Sequence, residues 1–375
     1  MATAGQQPLT LDVVTDEGAL TALSGPWVRL HAEDPDDNAF LSWPWASTWW
    51  RHFGDGRPDR ELHVVVVRDG PAVVGIAPLL RTRVGVGPLR ATVLERIAAD
   101  AGDYGGMVLG PRAEEAVALL VDHLAARLRG DADVVVLGRL ASDARFTRLL
   151  GDELVRRAAT VATTVDRLAG ACLHADVTAG FDLARKAKKH KIRRYRGRLA
   201  EQHGEVAFVR HTGPTLEEGL DRLVTLHDRR WAVLDEPVQG LMAAPAGRAF
   251  LLDAVRALDG AGALRLLSVE AGGRPAGVEL DLVSGRRQFL FKGAFDPELA
   301  AFAPGQLLHH RAFEEGLAEG IEVFDFCRGD APYKRRWTNG ERTLATVTLA
   351  RPGPAGWLAR QRWRAARALA RRRPG

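Results

Sequence analysis

Residues 288–337 decide the fold; they read QFLFKGAFD (288–296), PELAAFAPGQLLHHRAFEEGLAEG (297–320), IEVFDFCRGD (321–330) and APYKRRW (331–337). Residues 289–291 are aromatic or branched, which is typical of a strand. Pro304-Gly305 predicts the start of a helix, because proline in the first turn loses no hydrogen bond and glycine allows close approach of a ligand. Gly320 ends that helix, and a buried strand that carries Asp325 follows. A helix N-terminus beside a strand end predicts an anion site.

Length and composition indicate a globular protein of two domains. The chain has 375 residues, of which 46% are hydrophobic and 26% charged. Both values are ordinary for globular proteins, and the length allows two cores. The cysteines, Cys172 and Cys327, lie far apart without metal-binding spacing, so we expect a reducing compartment. Neither a signal peptide nor a run of ~20 apolar residues is visible, so we expect a cytoplasmic protein.

Positive charge is concentrated in two places, although the net charge is only +5. One run lies within 185–198: Arg185, Lys186, Lys188, Lys189, Lys191, Arg193, Arg194, Arg196 and Arg198. The other is the tail: Arg360, Arg362, Arg364, Arg367, Arg371, Arg372 and Arg373. Such clusters suit phosphate-bearing ligands, acidic membranes or nucleic acid, and solvated helix faces are the competing interpretation.

An order of elements occurs twice along the chain. A strand meander, a helix and a strand are predicted over 62–109 and 112–138, and again over 264–292 and 305–326. This duplication predicts an α/β (α+β) fold of two similar domains, each a mixed, mostly antiparallel sheet flanked by helices. We predict an N-terminal domain at 1–175, a basic linking helix at 176–204, a C-terminal domain at 205–350 and a basic tail at 351–375.

The strand, the Pro-Gly helix, FDFCRGD and YKRRW resemble the second half of the GNAT acyltransferases associated with cellulose biosynthesis (CelD/BcsL-type). Those resemble in turn the FemABX peptidyltransferases, which carry two GNAT-like halves. The resemblance spans roughly Leu41 to Thr348, and G-D-x-x-Y-K-x-x-W, at 329–337, is its most specific part. It implies two tandem GNAT-like domains and an acyltransferase.

In GNAT proteins the acyl-CoA pyrophosphate binds amides at the start of the helix after the fourth strand. The resemblance places this donor site at Ala303, Pro304, Gly305, Gln306 and Leu307. The usual Q/R-x-x-G-x-G/A pattern is not intact, since only Gly305 stands where glycines are expected. An aminoacyl or other acyl donor therefore stays open beside acetyl-CoA.

Acyl transfer needs alignment, an oxyanion donor and a route for a proton. Tyr333 is predicted to protonate the leaving thiolate and Asp330 to accept a proton from the acceptor. Lys334 would neutralise a phosphate or an oxyanion, and Asp325 is a further candidate base. The alternative is a structural turn, with Asp330 as a cap and Lys334 solvated.

The candidate substrate-binding residues come from both halves. They are Trp45, Trp49, Asp103, Tyr104, Arg230, Trp231 and Trp337. Clustered tryptophans pack in a core or line a cleft, and an arginine beside Trp231 could hold a carboxylate or phosphate of the acceptor. No histidines have metal-ligand spacing, so no metal site is expected.

The leading hypothesis is an acyltransferase that uses acetyl-CoA or another acyl-CoA and acts on an amine or hydroxyl. The acceptor would be a small molecule, a sugar or a cell-envelope precursor of the kind used in polysaccharide biosynthesis. Two alternatives are an aminoacyl-tRNA-dependent transferase and a degenerate GNAT pair that binds membrane or nucleic acid. Peripheral contact with the inner face of an acidic membrane is expected through 185–198 and 360–373. Nucleic acid other than tRNA has no recognition motif to support it.

Overall fold

A computed structural model describes residues 7–187, 189–234 and 240–372, which form two compact units. The first unit contains the described residues up to Ala169 together with those from Thr343 onward, and the second spans Gly170–Arg342. The predicted boundaries divide the chain differently, because residues 343–350 belong to the first unit and 170–175 to the second.

The first unit begins with nine strands and five helices. The strands are β1 (Thr10–Val14), β2 (Arg60–Leu62), β3 (Val64–Asp69), β4 (Ala72–Ala77), β5 (Leu79–Val84), β6 (Ala91–Arg96), β7 (Val108–Leu109), β8 (Val134–Ala141) and β9 (Ala162–Arg167). The helices are α1 (Glu17–Ala22), α2 (Ser24–Glu33), α3 (Trp43–Phe53), α4 (Ala113–Gly130) and α5 (Arg145–Arg156). Strands β3 and β4 pair in antiparallel fashion around Asp69-Gly70, within the strand meander predicted over 62–109.

The second unit continues with seven strands and six helices. The strands are β10 (Cys172–Asp176), β11 (Val206–His211), β12 (Leu264–Ala271), β13 (Arg274–Ser284), β14 (Arg287–Phe295), β15 (Val323–Asp325) and β16 (Gly340–Arg342). The helices are α6 (Leu183–Ala187), α7 (Lys189–His203), α8 (Leu216–Leu234), α9 (Pro245–Gly260), α10 (Pro304–Ala318) and α11 (Pro332–Arg335). The predicted meander and the helix that begins at Pro304 are confirmed.

The chain then returns to the first unit with β17 (Leu344–Ala350) and α12 (Pro354–Arg372). Among the described residues, that unit has a four-stranded sheet (β1-β3-β4-β7) and a six-stranded sheet (β2-β5-β6-β8-β17-β9). Strand β17 is antiparallel to both β8 and β9. Because β17 lies between these two strands, its backbone groups pair with both of them, and β8 is not an edge strand.

A single sheet organises the second unit, in the order β11-β12-β13-β14-β15-β10-β16. Neighbours are antiparallel except β14 and β15, which are parallel and joined through α10. Gly316 of α10 packs closely on this sheet, because an added β-carbon would lie 2.6 Å from Phe324 and 2.7 Å from Gln288. The fold class is therefore confirmed as mixed α/β, with sheets flanked by helices.

The basic linking helix predicted at 176–204 was wrong in its start. Strand β10 extends to Asp176, and residues 181 and 182 precede α6 without helical structure. Lys188, which belongs to the predicted basic run, lies outside the described residues.

Helix α7 is less polar than its charges indicate. Ile192, Tyr195 and Leu199 recur at helical spacing. They pack in one apolar cluster with Val206 and Phe302. Leu199 is fully buried. The helix is therefore packed on one face and exposes its lysine and arginine side chains on the others.

A buried histidine pair in the first unit makes its stability sensitive to acid. Nε2 of His63 lies 2.8 Å from Nε2 of His123. Burial, then the nearby His123 and Arg127, lowers the pKa of His63 from the ordinary 6.5 to about 4. Between these values the unfolded chain binds more protons than the folded chain, so stability falls as pH falls.

We expect the urea midpoint of the protein to decrease from pH 7 to pH 4 more steeply than that of a His63→Gln variant. The variant keeps a polar side chain and removes the buried titrating ring. Denaturation curves at half-unit pH intervals measure both slopes, and identical slopes would show that His63 does not contribute.

Candidate active site

A cavity of about 380 Å³ opens in the second unit where α10 begins. Its lining residues are Arg230, Val278, Glu279, Gly293, Ala294, Phe295, Ala300, Ala303, Pro304, Gly305, Gln306, Leu308, His309 and Tyr333. They come from α8, β13, β14, α10 and α11 and from the connection before α10. The cavity size is typical of a small-molecule site.

The start of α10 forms one wall. Ala303 precedes the helix in a left-handed conformation (φ 52°, ψ 53°), and Pro304 and Gly305 occupy the first turn. Non-glycine residues rarely adopt this conformation, and such residues cluster at functional sites. Gly305 faces open space, since an added β-carbon would meet only Phe295, at 3.9 Å. Pro304 has no amide hydrogen, and the Gln306 amide donates to the carbonyl oxygen of Ala303 at 2.9 Å, so the Gly305 amide is the first-turn donor that an anion could bind.

Arg230 contributes a positive charge to the lining of the cavity. The guanidinium of Arg230 lies over the ring of Phe295, 5.4 Å from its centroid. Arg230 therefore lines the cavity as predicted for a substrate-binding residue. The helix dipole and the guanidinium together favour a phosphate or carboxylate in this half of the cavity.

A carboxylate defines the opposite half. Glu279 is buried on β13, and its Oε2 lies 2.6 Å from Nδ1 of His309 on α10. The neighbouring Asp281 makes a side-chain hydrogen bond with Glu279, which is one cause of the raised pKa of Asp281. The Glu279 carboxylate therefore meets both His309 and Asp281 at the wall of the cavity.

Tyr333 completes this half by stacking on His309. Their rings are 5.8 Å apart and inclined by 10°. Tyr333 is 43% exposed, and the partial burial of its phenol, followed by the nearby Glu279 carboxylate, raises the pKa of that phenol. The phenol therefore keeps its proton at neutral pH and can donate it.

Sequence reasoning missed Glu279 and treated His309 only as a possible metal ligand. The signal was present in GVELDLVS (277–284), where two acids interrupt an otherwise apolar strand. Alternation along β13 puts Glu279 and Asp281 on one face. Asp281 is buried and accepts a hydrogen bond of 2.7 Å from Nε2 of Gln288. Burial and the neighbouring Glu279 raise the pKa of Asp281 well above its ordinary value.

The other three predicted catalytic residues do not line the cavity. Lys334 is buried and donates hydrogen bonds to the carbonyl oxygens of Phe326 and Arg328, at 2.8 and 2.7 Å. Asp325 is fully buried; its Oδ1 accepts from the Cys327 amide at 2.8 Å, and Oδ2 lies 3.4 Å from Arg287.

Asp330, the third of these residues, is exposed. Its carboxylate lies 3.8 Å from Nη2 of Arg335, and both side chains are 55% exposed. The contacts of Lys334 and Asp325 favour a structural role for both, and their catalytic roles stay predictions.

The predicted donor residues lie together at the start of α10. Ala303, Pro304, Gly305 and Gln306 line the cavity, whereas Leu307 is buried in the apolar core beneath the helix. Trp337 is buried behind Gln306, and its Nε1 donates to Gln306 Oε1 at 3.2 Å.

The remaining substrate-binding candidates are not among the residues that line this cavity. Trp231 donates from Nε1 to Nε2 of His227 at 2.9 Å. Trp45, Trp49, Asp103 and Tyr104 are all buried within the first unit. Trp49 donates to Asp100 Oδ1 at 2.9 Å, and Phe40 packs near both Trp45 and Tyr104. These contacts favour a core role for the four first-unit residues.

Comparison with protein-family models agrees with this geometry. Residues 186–335 match the acetyltransferase (GNAT) domain model. The matched segment lies in the second unit, which is therefore similar to a GNAT acetyltransferase domain. The match includes the cavity and supports an acyltransferase, although it covers less than half of the chain. No curated protein sequence matches the chain.

Solved structures similar to the chain extend the likeness beyond the GNAT domain. A crystal structure of FemX is 13% identical with a TM-score of 0.60, covering 85% of this chain and 95% of that one. The C-terminal domain of a putative lysylphosphatidylglycerol synthetase from Agrobacterium fabrum is 12% identical with a TM-score of 0.55, covering 90% and 95%. L-PGS from Bacillus licheniformis is 14% identical with a TM-score of 0.54, covering 91% and 98%. At these identities the likeness shows the fold alone.

Two searches of the described residues gave negative results. No group of three histidine, cysteine, aspartate or glutamate side chains in that part of the chain is arranged to hold a metal ion. No helix in the same part combines the length and apolar character needed to cross a membrane.

The contact between Glu279 and the Tyr333 environment can be tested by titration. A Glu279→Gln variant removes a negative charge that raises the pKa of Tyr333, so we expect that phenol to titrate at lower pH than in the parent. The chain has three tyrosines, so NMR of ring-labelled tyrosine resolves each one, and a Tyr333→Phe variant assigns the signal. Glu298→Gln, a change at an exposed carboxylate, is the control. A Tyr333 titration unaffected by Glu279→Gln would contradict the geometry.

Proposed function

We propose that this protein transfers an acyl group from an acyl-CoA, with acetyl-CoA as the first candidate, to an amine or hydroxyl of a small acceptor. The observation that carries the proposal is that one cavity is lined both by the first turn of α10, where the Gly305 amide could bind an anion, and by the buried Glu279 carboxylate, whose Oε2 lies 2.6 Å from Nδ1 of His309.

The residues of the cavity support a division of roles. The first turn of α10, around Gly305, and Arg230 would hold the donor's phosphate. Glu279 would take the proton from the acceptor's nitrogen or oxygen as that atom bonds to the acyl carbon. Tyr333 would give its proton to the sulfur that leaves as the carbon–sulfur bond breaks, and His309 would orient both side chains.

Two finer statements belong to the same proposal. The G-D-x-x-Y-K-x-x-W ending supports placing the chain with the cellulose-biosynthesis-associated GNAT proteins, which would make the acceptor a sugar or cell-envelope precursor. The exposed cations of α7, Lys191, Arg193 and Arg194, would contact a phosphate-bearing acceptor. If the donor were an aminoacyl-tRNA instead, these cations would contact the RNA.

A thermal-shift screen tests the choice of donor. We expect acetyl-CoA or a longer acyl-CoA to raise the unfolding temperature, because a ligand that binds only the folded state stabilises it by about 2.7 kcal/mol at 100 times its Kd. Stabilisation by tRNA with no response to any acyl-CoA would contradict the proposal in favour of the aminoacyl-tRNA alternative.

The donor site predicts a strong effect of charge at Gly305. In a Gly305→Glu variant the carboxylate would face the donor's phosphate, and we expect acyl-CoA affinity to fall by about 100-fold, or about 3 kcal/mol. Isothermal titration calorimetry measures the change. Gly305→Ala should bind nearly normally, since the β-carbon has room, and Gly260→Glu controls for added charge at an exposed site. Unchanged affinity in Gly305→Glu would move the donor away from α10.

The chemical step predicts a separate effect of the two proton-transferring residues. Glu279→Gln and Tyr333→Phe should each lower kcat by about 10²–10⁴-fold with little change in donor affinity. Release of free thiol from acetyl-CoA in the presence of amino sugars measures turnover. A Tyr333→Phe variant with full turnover would reduce Tyr333 to a packing residue.

A further inference from the structure

Helix α12 exposes an apolar face that no described residue covers. One side of the helix packs on the first unit through Ala359, Trp363 and Ala366, all buried. On the outside, Trp357 is 56% exposed, Leu358 52% and Leu369 51%. A contiguous patch of exposed apolar side chains often marks an interaction site, whereas single exposed apolar residues are common on any protein surface.

Helical spacing collects these side chains on one face. With 3.6 residues per turn, seven positions between the start of α12 and Leu369 lie within about 60° of the direction opposite Trp363. They are Pro354, Trp357, Leu358, Gln361, Ala365, Ala368 and Leu369. The outer face is therefore mostly apolar along the length of the helix.

The flanks of this face are positively charged. Arg360, Arg364 and Arg367 lie on one flank and Arg362 on the other, and residues 343–372 contain no acid. Asp133 and Asp166, which contact the helix, are each paired with an arginine, at 2.8 and 3.7 Å. An apolar face with an outward tryptophan and cationic flanks is the pattern of a helix that lies in a membrane interface.

We propose that the outer face of α12 rests on the surface of an anionic lipid bilayer. Trp357, Leu358 and Leu369 would enter the boundary between headgroups and acyl chains, and the flanking arginines would contact lipid phosphates. The charge of the flanks selects this occupant over a second copy of the chain, since two copies of α12 would repel each other. This inference does not depend on the cavity of the second unit, so it can be tested separately from the proposed function.

Sedimentation with vesicles tests the proposal on the full chain. The protein should bind vesicles of three parts phosphatidylcholine to one part phosphatidylglycerol and should not bind pure phosphatidylcholine vesicles. Binding should weaken in 0.5 M salt, because anionic lipids attract the arginines. Equal binding to both vesicles, or to neither, would overturn the proposal.

A triple variant tests the apolar face itself. Trp357→Gln, Leu358→Gln and Leu369→Gln together should lower partition into the anionic vesicles by at least about 10-fold, since three apolar side chains no longer leave water. Val155→Gln, at another exposed aliphatic residue on a helix of the same unit, is the matched control and should bind normally. Circular dichroism verifies that both variants are folded.

The competing occupant is a second copy of the chain. Analytical ultracentrifugation without lipid should find the parent and the triple variant in the same oligomeric state. A parent dimer that becomes a monomer in the triple variant would overturn the membrane assignment. The membrane assignment would also be overturned if the triple variant sedimented with the anionic vesicles as well as the parent does.

Discussion

The parallel pairing of β14 with β15 is the constraint on which the candidate site depends. Parallel neighbours need a crossover connection, whereas every other pair in this sheet is antiparallel. Helix α10 makes the crossing, so its N-terminus must lie at the carboxyl end of β14, next to Phe295. The cavity lies at that junction. Its anion-accepting wall is therefore a consequence of sheet topology, and the donor residues at 303–306 need no sequence motif to be brought there.

The other half of the cavity depends on polar groups that are expensive to bury. Glu279 and Asp281 stand on a strand where Val278, Leu280 and Leu282 are fully buried. Apolar residues at both positions would pack at less cost, since burying carboxyl groups is unfavourable unless they are paired or protonated. Burial and the neighbouring Glu279 raise the pKa of Asp281 well above its ordinary value, and its Oδ2 accepts from Gln288, whereas Oε2 of Glu279 lies 2.6 Å from Nδ1 of His309. Stability is thus lower than an apolar strand would give, which is typical where chemistry is carried out.

The sequence predicted the elements of the second unit well and their partners less well. Periodicity located α10 and the meander because these signals are local. It could not place β17, since an alternating apolar strand fits any open sheet edge, and the edge between β8 and β9 lies about 180 residues away in the chain. The two acids of GVELDLVS were visible, but their approach to His309 depends on the packing of α10 across β13. Lys334 was predicted to contact a phosphate or an oxyanion, with a solvated side chain as the alternative, because nothing local shows that it donates to the carbonyl oxygens of Phe326 and Arg328.

The YKRRW segment shows why a specific motif need not be wholly catalytic. Tyr333 and Lys334 lie in the short helix α11, and Trp337 follows its end. Lys334 turns inward to bind the carbonyls of Phe326 and Arg328, which fixes the loop after β15. Trp337 packs against Phe313 and donates to Gln306, which fixes the loop to α10. Tyr333, directly before Lys334, stacks on His309 and lines the cavity. The lysine and the tryptophan therefore contribute to chemistry through position, and the tyrosine is the residue of the three that would meet substrate.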